Sequence, residues 1–130
     1  MDYDTAVEQL TFHSGSNPNT EDLRWKQGFL QTLRVYRGTL DHDAWKSVLD
    51  CVDAVSTHLK AAPMLDRSVV NSLWGILHYS RSWALHPDGM LQRNNLITTE
   101  DQETLMNWLD ELGERIAFLL DGVTTLKFRQ

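Results

Sequence analysis

The groups in this chain that could do chemistry are five histidines, one cysteine, and eighteen acids set against twelve lysines and arginines. A dinuclear metal site in a helical protein draws on inward carboxylates, commonly with Glu-x-x-His pairs. None of the histidines, at 13, 42, 58, 78 and 86, has an acid three residues before it. His-Glu-x-x-His is absent, and one cysteine cannot build a zinc cage. His42 lies between Asp41 and Asp43 in "LDHDAW". Sequence neighbours at a helix start do not converge on one point, so this reads as a cap with a charged first turn. No metal and no cofactor is expected.

Nucleophiles fare no better. A reactive thiol needs a helix N-terminus or nearby cations to stabilise the thiolate. Cys51 in "LDCVDAV" has Asp50 and Asp53 beside it in mid-helix, so it is expected to pack rather than react. Ser80 and Ser82 lack a Gly-x-Ser-x-Gly context, and the seven glycines are too dispersed to form a phosphate loop. With every catalytic pattern missing, the chain reads as a non-enzyme.

Two other features invite a role. Glu103, Asp110, Glu114 and Asp121, with Asn107, fall within one narrow arc of a C-terminal helix, and Glu111 flanks them. Arg115 is the sole basic residue on that helix. Such a face is either solvated or a docking stripe for a basic partner. Phe118 lies off the helix's apolar stripe, so it is covered by another segment or belongs to a contact surface. The five acids, Glu103, Asp110, Glu111, Glu114 and Asp121, and Phe118 are the candidate partner-binding residues. The second feature is Arg81, which shares a helical arc with Val70, Trp74 and Leu77. Its guanidinium must snorkel to the surface or be paired, with Asp88 or an acid from another helix as partner. A structural role is expected, and binding of an anion is the alternative.

The elements that position these groups are helical. The three prolines, at 18, 63 and 87, interrupt runs whose apolar spacing is three and four. A short first helix spans about residues 4 to 12, before the loop "HSGSNPNT". A second is expected from Thr20 to Gly38, with Trp25, Phe29, Leu33 and Tyr36 as its stripe. A third follows Asp41 and buries Trp45, Val48, Leu49, Val52, Val55 and Leu59. The fourth, from Asp66 to about Leu85, is apolar around most of its circumference, with a narrow strip of Asn71, Gly75, His78 and Ser82. It is therefore expected at the centre, with Trp74, Tyr79 and Trp83 buried. The fifth starts at Thr98 or Thr99, where Thr99 and Gln102 would form a capping box, buries Leu105, Leu109, Leu112, Ile116 and Leu119, and stops at Asp121-Gly122. Between the last two, "HPDGMLQRNN" reads as a corner with a helical turn near 89 to 95 that tucks Met90, Leu91, Leu96 and Ile97 into the core. The tail "VTTLKFRQ" alone has strand-like alternation. The expectation is an all-α domain over residues 1 to 130, with four main helices, a short N-terminal helix and a helical turn.

Net charge is −6, which weighs against nucleic acid and anionic membrane surfaces as partners. No apolar run approaches the roughly 18 residues of a membrane span, and "MDYDTAVEQL" lacks the layout of a secretory signal, so a cytoplasmic location is expected. A short, acidic, helical chain with rows such as "EDQETLMNWLDELGERIAFLLDG" resembles bacterial immunity proteins. The resemblance implies binding to a cognate toxin domain, a basic one given the acidic stripe, and its neutralisation by occlusion. It is a likeness of class and carries over no functional residue. The alternatives are a helical adaptor or oligomerising unit, for which a homodimer is compatible, and a small helical enzyme with a site around Arg81 and His78.

Overall fold

A computed structural model describes residues 1–122, and the strand-like tail, 123–130, lies outside them. The described residues are helical and contain no strand. Seven α-helices run α1 (Tyr3–His13), α2 (Leu23–Gln27), α3 (Phe29–Arg34), α4 (His42–Leu59), α5 (Arg67–Ser80), α6 (Met90–Arg93) and α7 (Thr99–Asp121). A turn of π-helix, Arg81–Leu85, continues α5.

Side-chain caps start the long helices. Asp2, Asp41, Asp66 and Thr98 each accept from a backbone N–H two or three residues on, satisfying a donor that the helix leaves free. Thr98, with its bond from the Asp101 N–H, is the cap of α7 in place of the box expected at Thr99 and Gln102, and its own N–H donates to the Tyr36 hydroxyl. Helix α1 lies against α4 and α5, and α7 lies against the same two helices and the π turn. Leu10, Phe29, Val48, Val52, Leu73, Ile76, Leu91, Leu105, Leu109 and Leu112 meet in one core. The N-terminal helix is thus a full member of the bundle.

The expected second helix is two helices. Gly28, extended at φ −64° and ψ 148°, ends α2 and starts α3, and Asp22 rather than Thr20 caps α2. The cause is a close crossing, because a Cβ on Gly28 would sit 2.2 Å from the Phe12 carbonyl oxygen. Trp25 is only half-buried as a result, while Phe29, Leu33 and Tyr36 stay inside.

Helix α5 also departs from expectation. Val69, Leu73 and Ile76 are buried, yet Trp74 is 54% exposed and Tyr79 42%. Its inner face is completed by Ser72, Gly75 and Ser80, small residues that let neighbouring helices approach. The bulky aromatics are left on the outside.

The corner behaves largely as its residues dictate. The π turn shifts the backbone ladder, and Gln92 Nε2 donates to the Ala84 carbonyl at 2.9 Å. Gly89 is required because a Cβ there would lie 2.3 Å from the Ser82 carbonyl oxygen. Asn94 Nδ2 donates to the Met90 carbonyl, and Asn95 takes φ 53°, ending α6. Leu91 is buried and Met90 and Ile97 pack on the core, whereas Leu96 is exposed.

Candidate functional site

Two concavities hold the groups with chemical potential. The first, about 460 Å³, lies between α1, α2 and the start of α4. At its base His13 is buried, with Nδ1 accepting the Phe29 N–H at 3.0 Å and Nε2 2.9 Å from Ser47 Oγ. A Ser–His contact suggests a nucleophile, but the backbone bond fixes the opposite polarity. Because Nδ1 accepts, the neutral ring carries its proton on Nε2 and donates to Ser47. Ser47 Oγ can then donate to Gln9 Oε1, 3.5 Å away. A general base needs a free lone pair facing the hydroxyl, and here that nitrogen holds a hydrogen. Burial pushes the imidazole down to about 4, against a smaller opposing pull from Asp41, so the neutral form is kept. His13 therefore caps α3 from another helix.

Nearby, Arg24 holds Asp22 at 2.9 Å and Glu8 at 2.6 Å, with its guanidinium 4.5 Å from the centre of the Phe12 ring. These contacts tie α2 to α1. Cys51 is buried beside Gln9, and burial raises its thiol to about 11. It is a packing residue, as its acidic neighbours suggest.

The second concavity, about 510 Å³, is a groove between α5 with its π turn and the N-terminal half of α7. Trp74, Leu77 and Leu85 line one bank, Met106 and Gln102 the other, and Arg81 faces Asp110 across it. Trp74 stacks on His78 with ring centres 4.5 Å apart and planes 10° from parallel. The Tyr79 ring lies nearly perpendicular to both, and Trp83 follows at 5.6 Å. This ladder follows the surface at positions i, i+4, i+5 and i+9. Arg81 and His78 both line this groove, together with Asp110.

Arg81 snorkels, as its arc requires. Its Nη2 meets Asp110 Oδ1 at 3.4 Å, with the two side chains 49% and 74% exposed, and the pairing acid is not Asp88. An exposed pair at that distance adds little stability.

The acidic row is exposed at Glu103, Asp110 and Asp121, with Glu111 on its flank, and Glu114 is half-buried. It is less uniform than its sequence suggests, because bases from outside its arc reach it. Asp110 has Arg81, and Glu111 has Arg115, which also holds Asp53 of α4 at 2.6 Å. Phe118 is half-buried against α4, in a hollow with Val52, Ser56 and Lys60, on the flank away from the groove. Trp108 packs inward, its ring parallel to Trp45 at 5.1 Å and edge-on to His42.

The structure therefore brings Asp110 together with Arg81, Trp74 and Met106, and leaves Phe118 and Glu111 on a separate side of α7. Trp74 was missed because apolar residues in a helix are first assigned to the core, and Met106 because it lies off its helix's apolar stripe. The available signal was the excess of large apolar residues around α5, which one core face cannot bury. Among the described residues, no cluster of three or more His, Cys, Asp or Glu side chains could hold a metal ion, and no helix is long and apolar enough to cross a membrane. No family model, curated protein or solved structure matches this chain.

Proposed function

We propose that the protein works by binding another protein, as a cytoplasmic immunity-type inhibitor that occludes a basic bacterial toxin domain. The observation that carries this reading is the pairing, along α7, of an exposed acidic row with an apolar groove. Trp74 and Met106 are about half exposed at that groove, with Arg81 and Asp110 at its rim. Protein interfaces favour this composition, an aromatic or Met centre with charged groups around it, since apolar anchors supply affinity and charges steer approach. The inward-donating His13 and the buried Cys51 thiol, raised to about 11, fit packing roles rather than nucleophilic ones, which is compatible with a binding protein.

The test is co-expression with the product of the adjoining gene. A larger partner ending in a basic domain, whose toxicity is abolished by this chain and which co-purifies with it, supports the reading. Partners that are all metabolic enzymes, with no toxicity to relieve, would sink it. A second reading, a small-molecule site, is favoured only by the convergence of His78, Arg81 and Asp110 on one groove. Saturable binding of a small metabolite there, without any protein partner, would select it.

A further inference from the structure

We propose that the groove between α5 and α7 is the anchor site for a cationic amphipathic helix of the partner, and that Arg81 occupies the place its cation will take. This rests on the protein-binding reading above and adds to it a location, a partner chemistry and an exchange of ion pairs.

The apolar half of the argument lies in Trp74 and Met106, 54% and 47% exposed on opposite banks above Leu77 and Leu85. A side chain inserted between them would cover apolar surface that the monomer leaves in water. The charged half lies in Asp110, four residues after Met106 and on the same side of α7. A partner helix carrying a leucine and a lysine or arginine four residues apart matches that spacing. Arg81 already meets Asp110, but through one long contact of 3.4 Å between exposed groups. A cation delivered with an apolar anchor can displace it, because the anchor supplies the affinity and Arg81 loses little by turning to solvent.

Charge decides between occupants. Beyond the rim, the arc of α7 continues through Glu103 and Asp121 with no lysine or arginine of its own. A second copy would bring its own acidic row and a net charge of −6 to this bank, so it is the wrong partner.

The experiment titrates isotope-labelled full-length protein with a synthetic helical peptide of leucines at three- and four-residue spacing and lysines elsewhere. A glutamate counterpart serves as control, and NMR follows the Trp74 indole N–H and the Met106 methyl group. The expected result is saturable shifts of both signals with the lysine peptide and none with the glutamate peptide. Trp74→Ala, at an exposed site that keeps the fold, should weaken binding at least tenfold, and Asp110→Asn severalfold. Arg81→Gln should tighten it severalfold, a sign that Arg81 would not give if it contacted the ligand. The proposal is overturned if Arg81→Gln weakens binding or if the glutamate peptide binds equally well. It also falls if shifts follow Glu103 and Asp121 while Trp74 and Met106 stay still, although the wider protein-binding reading would then survive. Shifts of Trp74 on dilution of the protein alone would assign the groove to a second copy and likewise overturn it.

Discussion

Acidification should weaken the fold through one residue, His13. The unfolded chain takes up a proton near the ordinary value of 6.5, whereas the folded chain resists protonation until about pH 4. The unfolded state therefore binds more protons in this window, and stability falls as pH falls through it. Above 6.5 the contribution of the buried neutral ring is fully present, and below about 4 it is fully lost. At about 1.4 kcal/mol for each pH unit, the loss attributable to His13 is about 3 kcal/mol. The assay is urea unfolding by circular dichroism at intervals from pH 7.5 to 4. His13→Asn keeps an acceptor near the Phe29 N–H but has no ring to protonate. It should cost about 1–2 kcal/mol at pH 7.5 through the lost Ser47 contact, and its stability should vary far less between pH 6.5 and 4. A variant with the same pH slope as the parent would refute the assignment of that slope to a buried, neutral His13.

Three further outcomes are expected. Gly28→Ala should destabilise by about 2–4 kcal/mol, because its Cβ would meet the Phe12 carbonyl at 2.2 Å; an unchanged urea midpoint would show that the α1–α3 crossing is loose. Cys51, whose thiol burial raises to about 11, should react with Ellman's reagent at pH 8 only after denaturant is added. Arg81→Met should change stability by less than about 1 kcal/mol, as an exposed ion pair allows, and a variant that fails to fold would restore Arg81 to a structural role.

Local signals made much of the fold legible. Asp41 and Asp66 begin helices where their side chains can cap them, and Gly122 ends α7 at φ 76°. The stripe of α4 is buried nearly as its spacing dictates, because a lone amphipathic face leaves one way to pack. What escaped was long-range. Gly28 breaks a helix because Phe12 approaches it from sixteen residues away, and no property of "WKQGFLQ" announces that. His13 likewise owes its role to Phe29 and Ser47, which only the fold assembles. On α5, periodicity could not say which apolar arc faces inward, because small residues as well as large ones make good inner faces. Trp74 and Tyr79 therefore looked like core and are surface. The acidic row was legible as a pattern, but Arg81 and Arg115 reach it from outside its own arc.

Association kinetics test the central claim most directly. The protein, and a variant carrying Glu103→Lys with Asp121→Lys, would each be mixed in stopped flow with the co-purified basic partner across a range of ionic strength. Both substitutions lie on the exposed arc of α7, outside the groove and the core. If the row steers a basic partner, the variant should associate roughly tenfold more slowly at low salt, with a flatter salt dependence and little change in dissociation rate. Equal association rates and identical salt dependence for the two proteins would contradict the claim and leave the acidic row a solvated face.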